Sequence, residues 1–256
     1  MVFKFKKKYQ KDFLKKGYCI LKIQNLKSLN YIRNKILKLS SSKTLNNYHK
    51  NLNLINLNKN RLNIFKLINK DKKFREHYFN VFETFLDDLV GNEICMQHKI
   101  NLNIQVPNDV TSVLEMHADS YAGESNYEII SWLPLVNVYK TKSMYVLDIE
   151  KSKKIEKNLS RFNRMGTDII YKKYKKYFRF LKLNYGEGLI FSSNILHGNK
   201  ENLTKETRWS LNCRFKGLFA PANKNLTSKN FSFMYEHLKI KPATVIGLNY
   251  KSPIFK

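Results

Sequence analysis

The chain has 256 residues, of which 43% are hydrophobic and 13% aromatic, and its formal net charge is +27. This hydrophobic content excludes a disordered chain, and the length favours one large domain or one domain with extensions. No stretch approaches the roughly 18–20 apolar residues that a membrane helix needs, so we expect no membrane span. Three widely spaced cysteines predict neither a disulfide framework nor a CxxC metal site, and they favour a reducing, cytoplasmic compartment.

The net charge of +27 allows two interpretations. A chain this basic can bind nucleic acid or another anionic surface. Its cations are mostly lysine, however, and the sequence does not show the arginine pairs and clustered aromatic residues that are typical of dedicated nucleic-acid sites. We therefore interpret the charge as compositional drift and expect no nucleic-acid partner, although the same charge would help to hold a phosphorylated or acidic substrate.

Helices dominate the elements predicted in the first third of the chain. Residues 12–23 predict a short helix, a glycine turn and a strand, and residues 28–41 carry apolar side chains at helical spacing. The Asn-Leu repeats of residues 51–70 are ambiguous and predict a loop with a short helix. Residues 72–91 predict a long amphipathic helix that ends at a glycine.

Short strands separated by turns follow. The predicted strands cover residues 94–106, 112–118, 127–139, 143–149, 182–193 and 208–219. A basic, partly helical insertion or lid at about 150–181 interrupts them, and an aromatic-rich C-terminal extension at about 221–256 follows them. Helices followed by a run of short strands predict an α+β fold with an antiparallel sandwich or barrel, in a single domain over residues 1–256.

Two histidines and an aspartate stand where predicted strands end. His117 and Asp119 are two residues apart, so on a strand their side chains would share one face. His197 follows another apolar strand and precedes a glycine. Two imidazoles and one carboxylate can fill three adjacent positions around Fe(II) and leave three open for substrate and oxygen. A solvated strand end is the alternative for a His-x-Asp triplet considered alone.

An arginine and a serine follow the second histidine in the chain. Arg208 and Ser210 are two residues apart on a predicted strand, so they too would share a face. The planar guanidinium group suits a carboxylate, and a hydroxyl group nearby can complete the binding of one end of a dicarboxylate. The order is therefore His-x-Asp, a long gap, His, and then Arg-x-Ser.

In this order of motifs the sequence resembles the Fe(II)- and 2-oxoglutarate-dependent dioxygenases, particularly the phytanoyl-CoA dioxygenase-like branch. Within that branch, the stretches LNIQVP, SVLEMHAD and YEIISWLPLVNVYKTKSM look like the StrG-like oxygenases found sporadically in bacterial carbohydrate-biosynthesis clusters. The resemblance spans roughly residues 10–220. It implies a double-stranded β-helix, which is a cupin-like jelly roll, with the N-terminal helices packed on one sheet.

The resemblance also implies the cofactors and the residues that hold them. Fe(II) would be bound by His117, Asp119 and His197. The cosubstrate 2-oxoglutarate, which is consumed together with O2, would be held by Arg208, Ser210 and Asn103. Because Asp119 is present, hydroxylation or another plain oxidation is favoured over halogenation, with release of succinate and CO2. The implied substrate is a small carbohydrate or carbohydrate-derived metabolite, such as a nucleotide- or lipid-linked sugar, from a surface-polysaccharide or modified-sugar pathway.

Further residues are predicted to contact the substrate or to support the site. They are Gln105, Trp132, Tyr121, Lys142, Asn199 and Arg214. Several have a structural alternative, since Trp132 can be a core residue, Arg214 can form an ion pair at the end of the sheet, and Tyr121 and Lys142 can belong to turns. The other four histidines fit no ligand spacing, and we interpret them as surface or structural residues.

A second hypothesis comes from a different functional class. The chain could be a non-catalytic, cupin-like binding protein whose basic surface takes anionic ligands or nucleic acid. The presence of the complete triad together with Arg-x-Ser argues against it. Strongly salt-dependent nucleic-acid affinity that Asp119→Ala leaves unaffected would favour this second hypothesis.

Overall fold

The computed structural model describes residues 5–122, 124–158, 167–221 and 234–249. Helices and one strand form the N-terminal part: α1 (Lys8–Lys16), β1 (Tyr18–Lys22), α2 (Leu26–Ser40), α3 (Leu57–Lys70) and α4 (Lys72–Leu89). The remaining strands are β2 (Ile94–Gln97), β3 (Asn101–Gln105), β4 (Ile129–Pro134), β5 (Tyr145–Val146), β6 (Arg179–Phe180), β7 (Glu187–Ser192), β8 (His197–Gly198), β9 (Arg208–Gly217) and β10 (Tyr235–Lys239). The remaining helices are α5 (Ile149–Glu156), α6 (Thr167–Tyr174) and α7 (Pro242–Asn249).

The strands form two antiparallel sheets. The large sheet has the order β1-β7-β4-β9-β2-β10, and β3 also pairs with β9. The small sheet has the order β6-β5-β8. The predicted combination of helices with antiparallel sheets is therefore confirmed, whereas the single domain stays a prediction. Among the described residues, no helix has the length and apolar character needed to cross a lipid bilayer.

Alternation along β4 gives the large sheet a helix face and a cavity face. The Ser131 hydroxyl lies 2.9 Å from the hydroxyl of Tyr78 on α4. Its neighbours Ile130 and Trp132 line a cavity on the opposite face. The N-terminal helices therefore cover one face and leave the other face free to build a site.

The segment 51–70 is more helical than the sequence indicated. A helix of 14 residues occupies 57–70, because Leu57, Ile64 and Ile68 recur on one face and are buried there. The abundant asparagines hid this spacing, since Asn also favours turns and loops.

The strand predicted over 94–106 is two strands. Strand β2 pairs with residues 215–217 of β9, and β3 pairs with residues 208–212 of the same strand. Between them, the backbone N–H of Ile100 donates to the side chain of Asn69 at 2.8 Å. This helix side chain replaces a ladder hydrogen bond and interrupts the strand.

The strand predicted over 112–118 is absent except for an isolated bridge between His117 and His197. The backbone of this segment forms hydrogen bonds with a side chain instead of with a neighbouring strand. The Asn199 amide accepts from the N–H of Leu114 at 2.6 Å and donates to the carbonyl of Ser112 at 3.1 Å. The prediction of a regular strand here was therefore wrong.

The insertion and the C-terminal extension are partly described. Helices α5 and α6 confirm that the insertion is partly helical, while residues 159–166 lie outside the described residues. In the extension, β10 pairs with β2 at the edge of the large sheet, and residues 222–233 and 250–256 lie outside the described residues. Whether the insertion acts as a lid stays a prediction.

Candidate metal centre

The two histidines are brought together by the backbone. The N–H of His117 donates to the carbonyl of His197 at 3.0 Å, and the reverse bond is 2.9 Å long. Asp119 follows in a short 3-10 turn, Asp119–Ala122. Gly198 permits this approach, since a Cβ there would lie 2.9 Å from the carbonyl oxygen of Leu114. The convergence thus depends on a bridge and a turn, whereas the sequence had suggested alternation along a strand.

The three predicted metal ligands form one cluster. The Oδ1 atom of Asp119 lies 3.5 Å from Nε2 of His117 and 3.9 Å from Nε2 of His197. One ligand atom from each of the three residues falls within 4.8 Å of the others. Among the described residues, no other group of three His, Cys, Asp or Glu side chains could hold a metal ion. Two imidazole nitrogens and one carboxylate oxygen suit a divalent transition metal with open positions.

Each histidine ring is oriented by the backbone carbonyl of the residue two positions before it. Nδ1 of His117 lies 2.7 Å from the carbonyl oxygen of Glu115, and Nδ1 of His197 lies 3.0 Å from that of Ile195. A carbonyl oxygen can only accept, so in the neutral ring the proton is on Nδ1 and the Nε2 lone pair is free, whereas a protonated His117 can also donate from Nε2 to Asp119. Both Nε2 atoms face Asp119, as a metal site requires.

Charge and burial tune these three groups differently. Burial raises the pKa of Asp119, but a hydrogen bond from His117 and the charges of His197 and Arg214 outweigh it and hold that pKa well below its ordinary range. Burial lowers the pKa of His197 to about 4. Burial also lowers that of His117, but the hydrogen bond to Asp119 reverses the balance and raises the pKa. The cluster therefore presents an ionised carboxylate and a neutral His197 near pH 7.

The metal-free protein is expected to lose stability as the pH falls through the range set by His197. The unfolded chain binds a proton at this residue below its ordinary pKa of about 6.5, whereas the folded chain excludes that proton until about pH 4. This stabilisation is complete above about pH 6.5 and is lost toward pH 4, whereas the raised pKa of His117 changes stability only above about pH 6.5.

The variant His197→Gln checks this expectation. Urea unfolding in the presence of a chelator should show a shallower decline of the free energy of unfolding between about pH 6.5 and pH 4 than the unmodified protein shows. An identical decline in the two proteins would contradict a neutral, buried His197.

Arg208 is buried without a counter-charge. Its Nη2 donates to Oδ1 of Asn103 at 2.8 Å, and within the described part of the chain it forms no ion pair. Its Nε and Nη1 atoms, and the hydroxyl of Ser210, have no hydrogen-bond partner there. Burial lowers the pKa of Arg208 to about 9, so the guanidinium is still cationic near pH 7. An unpaired buried cation beside an unpaired hydroxyl fits an anionic ligand.

One cavity of about 300 Å³ joins the triad to Arg208. His117, Asp119 and His197 line it together with Arg208 and Ser210. Its other walls are polar and apolar residues that include Asn103, Trp132, Asn199 and Arg214 from the predicted set. The cavity therefore unites both halves of the predicted site.

Three predicted contact residues lie outside this cavity. Gln105 is buried and donates to the carbonyl of Lys200 at 2.8 Å. Lys142 is fully buried, and its Nζ lies 2.6 Å from Oε2 of Glu206, so it forms an ion pair behind the site. Tyr121 donates its hydroxyl to Glu156 at 3.0 Å and lines a separate pocket. For these residues, the structure favours supporting roles over substrate contact.

Residues inside the cavity also serve the fold. The side-chain amide of Asn199 forms hydrogen bonds with the backbone of residues 112 and 114. Trp132 is 5% exposed and belongs to the hydrophobic core as well as to the cavity wall. Arg214 pairs with Asp119 at 3.3 Å, so the ion-pair alternative holds for it.

The pairing of two asparagine side chains in the cavity was not predicted from the sequence. Asn101 donates to Oδ1 of Asn212 at 2.8 Å, and both line the cavity. Their cross-strand pairing on β3 and β9 could have been found from the shared face of Arg208 and Ser210, because Asn212 continues that face.

Three solved structures share this arrangement of elements. HygX from Streptomyces hygroscopicus, with nickel and 2-oxoglutarate bound, has a TM-score of 0.54 at 10% identity over 84% of this chain and 88% of that chain. The non-haem monooxygenase ThoJ in its apo form has a TM-score of 0.56 at 12% identity, over 83% of this chain and 78% of that one. The non-haem α-ketoglutarate-dependent carbocyclase SnoK has a TM-score of 0.55 at 9% identity, over 93% and 94%.

The chain shares the fold of these non-haem proteins. At identities of 9–12% the likeness establishes the fold, and the chemistry must be argued from the site itself. No protein-family model matches the chain, and no curated protein matches it in sequence.

Proposed function

We propose that this protein is a non-haem Fe(II)- and 2-oxoglutarate-dependent oxygenase that hydroxylates a small molecule. The observation that carries the proposal is a single cavity that contains both a His-Asp-His cluster and an unpaired, buried arginine with a free hydroxyl beside it. The first group suits Fe(II), and the second suits a carboxylate. HygX, a relative in fold, has been solved with nickel and 2-oxoglutarate bound and also with iron bound.

The protein's own groups would bind, orient and shield the reactants. His117, Asp119 and His197 would hold Fe(II), while Arg208 and Ser210 would hold the distal carboxylate of 2-oxoglutarate, with Asn103 orienting Arg208. When bound, Fe(II) and 2-oxoglutarate supply an oxidising reagent from O2, and succinate and CO2 are the co-products. The protein contributes geometry and a cavity partly walled by apolar side chains, which limits the access of water.

The apolar wall of the cavity is well defined. It consists of Leu102, Leu114, Ile130, Trp132, Met144 and Phe191. Met144 precedes β5 of the small sheet, whereas Ile130, Trp132 and Phe191 belong to the large sheet. A site enclosed between two antiparallel sheets supports our proposal that the fold is a double-stranded β-helix with the N-terminal helices packed on one sheet.

We further propose that the substrate is a sugar or a nucleotide- or lipid-linked sugar. The amides of Asn101 and Asn212 face the cavity and offer donors and acceptors for hydroxyl groups. HygX, at a TM-score of 0.52, has also been solved with hygromycin B bound, which supports a small-molecule substrate. The net charge of +27 would favour a substrate that carries phosphate.

A substrate screen tests this proposal. Purified protein with Fe(II), 2-oxoglutarate and O2 is incubated with free sugars, nucleotide sugars and polyprenyl-linked sugars, and succinate and oxygenated products are measured. We expect one class to raise succinate formation above the uncoupled rate and to gain one oxygen atom. Stimulation only by lipids or amino-acid derivatives would contradict the carbohydrate assignment and leave the oxygenase assignment in place.

The non-catalytic alternative is not favoured by this site. A binding protein for nucleic acid has no use for the buried Arg208 and the clustered triad. Nucleic-acid affinity that falls steeply with salt and is unchanged in Asp119→Ala, together with no binding of 2-oxoglutarate, would favour that alternative.

A further inference from the structure

A buried cluster of charged side chains lies next to Asp119 and has no part in the proposed reaction. Nη2 of Arg214 is 3.3 Å from Oδ1 of Asp119, the same oxygen that faces both histidines. Nε of Arg214 is 3.6 Å from Oε1 of Glu124, whose side chain is 5% exposed. Arg214 therefore lies between the carboxylates of Asp119 and Glu124 and forms an ion pair with each, while its Nε atom makes no hydrogen bond.

A tyrosine that does not line the cavity contacts this cluster. The hydroxyl of Tyr235 donates to Oε2 of Glu128 at 2.7 Å and lies 3.4 Å from Oε2 of Glu124. Oε1 of Glu128 accepts from the N–H of Ser125 at 3.1 Å. Burial raises the pKa of Glu128 to about 7; the Tyr235 hydroxyl opposes that rise, and Glu124 adds to it. The hydroxyl therefore lies between the two glutamates and donates its proton to Glu128.

Tyr235 comes from the C-terminal extension. It is the first residue of β10, and it pairs with Gln97 of β2 in the large sheet. Its ring also lies 5.3 Å from Nζ of Lys216 on β9. Strand β10 thus brings a hydroxyl group to a cluster that otherwise belongs to β9 and to the segment after Asp119.

We propose that the C-terminal strand β10 supports the metal centre, because the Tyr235 hydroxyl binds Glu128 and contacts Glu124, and the ion pairs of Arg214 link Glu124 to the carboxylate of Asp119. Tyr235 is a positioning residue in this scheme and touches neither metal nor substrate. The inference depends on the proposed function only in taking Asp119 as a metal ligand. Side chains that orient a ligand control metal affinity, and their removal typically costs 10–100-fold.

The variant Tyr235→Phe tests this inference by Co(II) titration of the full chain, with visible absorption as the readout. We expect the dissociation constant for Co(II) to rise roughly tenfold, with an altered absorption spectrum, because the carboxylate geometry changes. The control is Glu236→Gln on the same strand, which removes an ion pair with Arg75 on a different side of β10. The control should bind Co(II) like the unmodified protein.

A second variant, Glu124→Gln, removes the carboxylate that holds Arg214 and is expected to weaken Co(II) binding in the same direction. Unchanged or tighter Co(II) binding in folded Tyr235→Phe or Glu124→Gln would overturn the inference and leave β10 with a purely structural role. If the unmodified protein itself binds no Co(II), both this inference and the proposed function are overturned. The two failures are therefore distinguishable.

Discussion

Asp119→Asn is expected to lose metal binding while the fold is retained. The change keeps the size of the side chain and removes the negative charge that faces two imidazoles and Arg214. Substitution of residues that only orient a metal ligand typically lowers metal affinity by roughly 10–100-fold. Removing the charge of a ligand itself should therefore lower the affinity by more than roughly 100-fold. Isothermal titration with Fe(II) under anaerobic conditions measures the effect, and succinate formation should fall with it.

The matched control is another carboxylate close by in sequence. Glu115 lies four residues before Asp119, and its side chain contacts Thr167 on α6, while only its backbone carbonyl serves His117. Glu115→Gln should therefore bind Fe(II) like the unmodified protein. Equal affinity in Asp119→Asn and Glu115→Gln, with both proteins folded, would remove Asp119 from the ligand set.

Arg208→Met is expected to change stability and cosubstrate binding in opposite directions. Without ligands, the substitution removes a buried guanidinium that has no counter-charge, so the free energy of unfolding should stay equal or rise by about 1–2 kcal/mol. Two hydrogen bonds from Arg208 to a carboxylate contribute about 3–6 kcal/mol, so 2-oxoglutarate affinity should fall at least about 100-fold. Urea unfolding and calorimetric titration measure the two effects.

A paired arginine provides the control for this opposite response. Arg61 forms an ion pair with Asp109 and donates to the carbonyl of Ile104 at 2.6 Å. Arg61→Met should lower the free energy of unfolding and leave 2-oxoglutarate affinity unchanged. A loss of stability in Arg208→Met similar to that in Arg61→Met, with 2-oxoglutarate still bound, would show that Arg208 is structural.

Local patterns were enough to predict the helix that backs the sheet, whereas the proposed metal ligands were assigned with the help of the family resemblance. The stripe of α4 and the shared face of Arg208 and Ser210 follow from periods of 3.6 and 2, which are fixed by backbone geometry. The order of the motifs in the chain added His197 to His117 and Asp119 in the proposed triad. These features require no knowledge of distant contacts.

Contacts between distant segments could not be predicted in the same way. The 112–118 segment has an apolar pattern, but Asn199, far along the chain, takes its backbone hydrogen bonds and prevents a strand. Lys142 was a candidate substrate contact with a turn as the alternative, and it lies in a short turn where Asn46 and Glu206 bind its ammonium group. Tyr235 reaches the carboxylates of Glu128 and Glu124 only because β10 pairs with β2. Each outcome depends on tertiary pairing, which local propensity does not encode.

The oxygenase assignment is tested most directly by adding Fe(II) and then 2-oxoglutarate to the purified protein under anaerobic conditions and recording the visible spectrum. We expect a weak charge-transfer band that forms only when both are present, because the cavity joins His117, Asp119 and His197 to Arg208. The band should be absent in Asp119→Asn and should need far more 2-oxoglutarate in Arg208→Met. A folded, unmodified protein that shows no band at saturating Fe(II) and 2-oxoglutarate would contradict the oxygenase assignment.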